Sequence, residues 1–146
     1  MIKKYSNNLT GIDIHVNKSM KGVKIFEKRV EKNLSFLKND SSDLLILNSV
    51  LEHLDYPLEV LKEAYRILDK NGMLIVNVPN WLGKKFLEFS AFRLGLSSKE
   101  EIDDHRMYYD KKNIWPLLVE AGFKPSNISI KYHKFNLNTL SYAIKK

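Results

Sequence analysis

The chain has 146 residues, 44% of them hydrophobic and 28% charged, with no cysteine and a formal net charge of +7. That size and balance fit one folded domain spanning 1–146 rather than a disordered segment. They exclude a disulfide framework and thiolate metal sites, and fit a reducing, cytoplasmic setting. Met1 to Thr10 lacks the apolar run of a signal peptide, and no stretch approaches the roughly 20 apolar residues of a membrane span. Residues 1–39 carry nine Lys/Arg against three Asp/Glu, residues 40–80 three against seven, and residues 81–146 twelve against seven. The lysines are dispersed singly or in pairs rather than gathered in a stripe, so the expectation is a solvated basic surface and no specific nucleic-acid partner.

In chain order, Leu9-Thr-Gly-Ile-Asp-Ile14 reads as a short strand ending in an acid, and Lys24 to Val30 alternates weakly enough for a second one. Asn39-Asp-Ser-Ser42 is turn chemistry. Asp43-Leu-Leu-Ile-Leu-Asn48 is apolar on both faces, the mark of a buried strand in a parallel sheet. Asp55 is placed to cap a helix with Pro57 in its first turn, Leu58, Leu61, Tyr65 and Leu68 on one face, and Lys70-Asn-Gly72 as its stop. Met73 to Val78 is a second doubly apolar strand closed by Pro79, completing a βαβ unit with a right-handed crossover.

Residues 81–104 read as irregular helix anchored by Trp81, Phe86, Phe89 and Phe92, with Lys99 to Asp104 exposed. Asp110 is placed to cap a helix from Lys111 to Ala121, with Ile114, Leu117, Leu118 and Ala121 buried and Gly122 ending it. Pro125 to Tyr132 and Phe135 to Ile144 read as two antiparallel strands joined around His133-Lys134.

In an open α/β sheet, ligands bind beyond the carboxyl ends of the strands. Those ends carry Asp13, Asn48-Ser49, Asn77 and Pro79-Asn80. A carboxylate at the position of Asp13 either accepts bonds from both hydroxyls of a ribose or caps the next helix, and position alone does not choose between them.

Three blocks then stand in a familiar order. Leu9-Thr-Gly-Ile-Asp-Ile14, Asp43 to Leu54 with its Val-Leu-Glu-His-Leu segment, and Ala64 to Pro79 resemble consecutive motifs of the class I S-adenosylmethionine-dependent methyltransferases. Asp104-His105 and Leu118-Val-Glu-Ala-Gly-Phe123 match the segment before that fold's final hairpin. The resemblance covers nearly the whole chain and is nearest to enzymes acting on small molecules, such as those of quinone and glycan biosynthesis.

It implies an α/β, Rossmann-like methyltransferase sheet, mostly parallel with a C-terminal antiparallel hairpin. The implied cofactor is S-adenosylmethionine, with Asp13 on the ribose hydroxyls, Ile14 on the adenine, and Asn48 and Ser49 beside the methionine part. His53 and His105 are implied at the substrate mouth as candidate bases, although a histidine bonded to backbone accounts for His53 equally well. Arg106, Tyr108 and Tyr109 are either substrate contacts or, for the tyrosines, ordinary packing. No metal is implied. Glu31 is the acid available for the adenine amino group.

The six glycines stand at 11, 22, 72, 83, 95 and 122, so no G-x-G occurs, and the family's first strand and glycine-rich loop have no counterpart. The expectation is therefore a fold truncated at its N-terminus, with weak cofactor binding and self-association or a partner chain. Alternatively, the strand at 9–14 pairs directly with that at 43–48. Three readings follow. One is methyl transfer to a small-molecule or a glycan or lipid precursor nucleophile. Another is a non-catalytic or split-gene remnant needing a partner chain. The third is a basic nucleic-acid binder, favoured only by charge. A nicotinamide dehydrogenase would also need a glycine fingerprint.

Overall fold

The computed structural model describes residues 8–14, 22–31, 34–94 and 105–146, and the side chains of all of these except 90–94. The expectations for 1–7, for the Phe92 side chain and for 95–104 lie outside the described residues. Two compact units divide between Phe36 and Leu37.

The first unit contains a parallel pair, β1 (Thr10–Asp13) and β2 (Lys24–Glu27), in register from Thr10 opposite Lys24 to Asp13 opposite Glu27. Behind β2, Phe26 stacks on Phe36 at 4.6 Å between ring centroids. Both strands are shorter than the sequence suggests. Ile14 lies past the end of β1, and Glu31 sits in the turn after β2.

The second unit holds a four-stranded sheet in the order β3-β4-β6-β5. β3 (Ser42–Asn48) runs parallel to β4 (Leu68–Pro79). β6 (Asn138–Ile144) runs antiparallel to both β4 and β5 (Ile128–His133). The mixed sheet with a C-terminal antiparallel hairpin is the α/β arrangement expected. Among the described residues β1 pairs with β2 and not with β3.

α1 (Pro57–Ile67) joins β3 to β4, with Pro57 in its first turn where no N–H is needed. Its N-cap is Tyr56, not Asp55, whose carboxylate is instead paired with Arg106. The buried stripe of the helix is Val60, Leu61, Ala64 and Ile67; of the expected face Leu61 and, just past the helix, Leu68 are fully buried, while Leu58 and Tyr65 are half-buried. The helix stops at Ile67 because Leu68 turns extended and pairs with Ser42. Lys70-Asn-Gly72, expected as the helix stop, instead lies with Asp69 in a bulge of β4 between the Ser42–Leu68 and Leu44–Met73 pairings, with Asn71 at a φ of 67°.

β4 is the centre of the core: Leu74, Val76 and Val78 are fully buried, each contributing about 1.5–3 kcal/mol of apolar burial. β3 departs from expectation. It is not buried on both faces, since Leu44 and Ile46 are 45% and 43% exposed. Its apolar residues await cover on a strand whose only partner among the described residues is β4.

α2 (Trp81–Leu94) follows β4 directly. Trp81, Phe86 and Phe89 are exposed rather than anchoring it. What fixes its start is Asn80, whose backbone N–H donates to the Leu137 carbonyl and whose side chain donates to the Asn136 carbonyl while accepting the Gly83 N–H. Gly83 lies so close to the β5–β6 turn that an added Cβ would collide with the Leu137 carbonyl oxygen.

α3 (Lys111–Glu120) begins with a capping box between Asp110 and Asn113, and Gly122, at a φ of 115°, ends it as expected. Ile114 and Leu118 form its buried side. The hairpin turn falls at 134–137 rather than 133–134, with Lys134, Phe135 and Asn136 all at positive φ. Pro125–Asn127 is a short 3-10 turn instead of the start of a strand.

Candidate functional site

The carboxyl ends of the parallel strands β3 and β4 meet at Asn48 and Asn77, which are directly opposite in register. Three carboxamides form a ladder there. Asn138 Nδ2 donates to Asn77 Oδ1 at 3.3 Å, and Asn77 Nδ2 donates to Asn48 Oδ1 at 2.9 Å. With its oxygen held, Asn48 keeps its Nδ2 as a donor at an exposed position. Ser49, at a φ of 53°, turns the chain out of β3 while its N–H donates to the Asn77 carbonyl.

The chain then winds into a single 3-10 turn, Leu51–His53. The run of apolar residues around it drives Leu51 and Leu54 into the core and carries Glu52 with them: Glu52 is 1% exposed. Neither of its carboxylate oxygens has a hydrogen-bond partner of normal geometry. Burial pushes its pKa up, an effect that its own backbone amide, the neighbouring His53 and the Ser49 hydroxyl offset only in part.

Segment 105–110 docks onto this turn. The Arg106 N–H donates to the Glu52 carbonyl at 2.7 Å, and the Tyr109 N–H donates to the Pro79 carbonyl at 3.1 Å. The Arg106 guanidinium pairs with Asp55. His105 is thereby brought to His53, with ring centroids 4.8 Å apart, and its Nδ1 lies 3.0 Å from the Tyr108 hydroxyl. Trp81 stacks on Tyr108 at 5.6 Å, and Lys84 Nζ sits over both rings. Burial, then the charges of Glu88 and Glu52, push the Tyr108 hydroxyl up, and burial pushes that of Tyr109 up to about 12. Two imidazoles beside a buried carboxylate, walled by aromatic rings, can take up a proton or hold a cation.

The sequence matches the family described as a methyltransferase domain over residues 1–76, more than half of the chain. The chain belongs to the methyltransferase domain family. It is 29% identical over 123 residues to the uncharacterized protein MJ1123 of Methanocaldococcus jannaschii, a match covering 77% of this chain and 56% of that relative. The chain thus spans little more than half the length of this curated relative. Its fold is shared with a SAM-dependent methyltransferase of Thermotoga maritima (TM-score 0.68, 21% identity, 94% of this chain and 73% of that one). It is shared too with a SAM-dependent methyltransferase of Archaeoglobus fulgidus (TM-score 0.72, 13% identity, 93% and 75%). Among the described residues no helix is long and apolar enough to cross a membrane.

In this methyltransferase domain, Asn48, Ser49, His53 and His105 all fall within the second unit, and the two histidines are in contact. Asp13 and Ile14 fall within the first, Asp13 exposed at the last position of β1 and Ile14 48% exposed just beyond it. Tyr108 and Tyr109 are buried, as packing residues are, though Tyr108 also reaches His105. Sequence reasoning passed over Glu52 and Asn138. An acid inside the apolar run Val50 to Leu54 was the available signal for Glu52. Asn138 carried none, because its ladder depends on a hairpin 61 residues beyond Asn77.

Proposed function

We propose that this chain serves S-adenosylmethionine-dependent methyl transfer to a nucleophile on a small molecule or a glycan or lipid precursor. The observation that carries the reading is the carboxamide of Asn48, anchored at the carboxyl end of β3 in a methyltransferase domain, with the His53–His105 pair formed by the turn that follows that strand. The residues fit the cofactor in chemistry and in exposure. Asp13 offers an exposed carboxylate for the ribose hydroxyls, and Ile14 an exposed apolar surface for the adenine. The Nδ2 of Asn48 and the hydroxyl of Ser49 suit the carboxylate of the methionine part. When bound, S-adenosylmethionine supplies an electrophilic methyl group on a sulfonium.

The protein's share of the work is alignment, worth up to about 7–11 kcal/mol when nucleophile, methyl carbon and sulfur are held in line. His53 or His105 accepts the nucleophile's proton, and Tyr108 fixes the ring of His105. Titration calorimetry tests the reading. Asp13→Ala should weaken S-adenosylmethionine binding by about 1.5–3 kcal/mol, the value of bonds to a charged group. Unchanged affinity would remove Asp13 from the site.

A second reading, that a further copy or a different chain adds a strand to β3, is favoured by the exposure of Leu44 and Ile46 on that edge strand. Light scattering should then show concentration-dependent association, and a monodisperse monomer would end that reading.

A further inference from the structure

We infer that Glu52, His53 and His105 form a binding site for a divalent first-row transition ion. The decisive observation is Glu52. A carboxylate 1% exposed, with neither oxygen in a hydrogen bond of normal geometry, is expensive to keep unless a proton or a cation answers it. It is not aimed into hydrocarbon. One donor atom from each of Glu52, His53 and His105 lies within 4.8 Å of the others.

Two imidazoles and one carboxylate are a donor set suited to Zn²⁺, Fe²⁺, Co²⁺ or Ni²⁺, and a poor one for Mg²⁺ or Ca²⁺, which prefer oxygen. Around an ion with bonds of about 2.1 Å, neighbouring donors stand roughly 3.4 Å apart. The widest donor pair must therefore close by up to about 1.4 Å. Rotation of the two half-buried imidazoles can supply that movement, whereas Glu52 is fixed by its burial.

The surroundings already resemble those of a liganding histidine. His105 Nδ1 is 3.0 Å from the Tyr108 hydroxyl, so the tautomer that donates from Nδ1 to Tyr108 leaves the Nε2 lone pair for the ion. The backbone of Glu52 is pinned as well, its carbonyl accepting from the N–H groups of Arg106 and Met107 at 2.7 and 3.3 Å. These two bonds hold the segment bearing His105 against the turn bearing Glu52 and His53. Three protein donors leave coordination positions for water or for an oxygen of an incoming molecule. With an ion seated, the imidazole lone pairs are engaged, so the base role described above belongs to the metal-free protein.

This inference goes beyond methyl transfer and stands without it, so its test reads metal alone. The whole chain, freed of metal by a chelator, is titrated with Zn²⁺ by calorimetry and with Co²⁺ by visible absorption. One tight equivalent is expected, with the Co²⁺ bands of a nitrogen-and-oxygen site and no comparable uptake of Mg²⁺. Glu52→Gln and His105→Ala should each weaken Zn²⁺ binding by more than about 100-fold, and Tyr108→Phe by about tenfold, as for an outer-shell partner. His133→Ala, at the far end of β5, should change nothing. If Glu52→Gln fails to fold, His105→Ala carries the test, since its ring is only half-buried. Zn²⁺ binding that survives His105→Ala, or that is lost with His133→Ala, would overturn the site. Neither result bears on whether S-adenosylmethionine binds through Asp13.

Discussion

β3 and β4 are written in nearly the same residues and end in very different places. Leu-Leu-Ile-Leu in the one and Met-Leu-Ile-Val in the other are both apolar on both faces, yet on one face Leu74 and Val76 are fully buried beside half-buried Leu45 and Leu47, and on the other Met73 and Ile75 are half-buried beside Leu44 and Ile46, which stand more than 40% exposed. The difference lies in neighbours. β4 is paired on both edges, by β3 and β6, whereas β3 is paired on one among the described residues. An apolar strand states what it can tolerate, and the strands beside it decide what it receives.

The strongest test compares truncations on the two strands. Leu74→Ala should cost about 2–5 kcal/mol in urea unfolding, the range for a core leucine. Ile46→Ala should cost under about 1 kcal/mol, because much of its side chain is already in water. Equal losses would break the comparison and mean that β3 is covered in solution.

Next comes the carboxamide ladder that ties the strands at their carboxyl ends. Asn77 is 8% exposed, and Asn77→Ala removes the bonds to both Asn48 and Asn138, for an expected loss of about 1–3 kcal/mol. Crystallography or amide resonances of Asn48 should then show its side chain no longer held in one orientation.

Alkaline pH probes the segment docked on the 51–53 turn, where the Tyr109 hydroxyl donates to the Leu51 carbonyl. The hydroxyl of Tyr109 is pushed up to about 12, so the folded state keeps its proton longer than the unfolded chain, which titrates near 10. The stability is complete below pH 10 and is lost as pH rises toward 12, amounting to about 1 kcal/mol by pH 11. Denaturant midpoints of Tyr109→Phe should show a shallower decline.

The smallest effect lies on the lead-in to β3. There Arg66 pairs with Glu63 at 2.8 Å and donates to the Leu37 carbonyl and the Asn39 side chain. The hydrogen bond from Arg66 holds the Glu63 carboxyl below the usual carboxylate range. Its contribution is therefore present at neutral pH and lost as the medium is acidified through that range. Glu63→Gln should cost less than about 1 kcal/mol, as exposed pairs do, and flatten that part of the acid profile.

The elements legible in the sequence were those set by local chemistry: Pro57 at a helix start, Gly122 at a helix end, the doubly apolar strands, and polar residues at strand ends. The misplacements came from distant partners. Asp55 was available as a cap until Arg106, 51 residues on, claimed it. The helix at 57 stopped early because Leu68 had Ser42 to pair with. Of the candidate site, Asn48, His53 and His105 are named by motif and order alone. The contact between the two histidines, and the burial of the Glu52 carboxyl within reach of them, exist only once segment 105–110 lies on the 51–53 turn.

The junction of Gly83 with the hairpin turn bears on where this chain can change length. The Leu137 carbonyl accepts from the Asn80 N–H and at the same time closes the space in which a side chain at 83 would sit. A residue inserted between Phe135 and Leu137 would withdraw that carbonyl, and a larger residue at 83 would push it away. Either change separates the first turn of α2 from the hairpin and frees Asn80, 2% exposed, from its two hairpin partners, the Leu137 and Asn136 carbonyls. Length variation among related sequences should therefore spare 134–137, even though the Phe135 side chain is 98% in solvent. A tag or grafted epitope placed at this outward-looking tip would loosen the helix start that carries Trp81 to the mouth of the site.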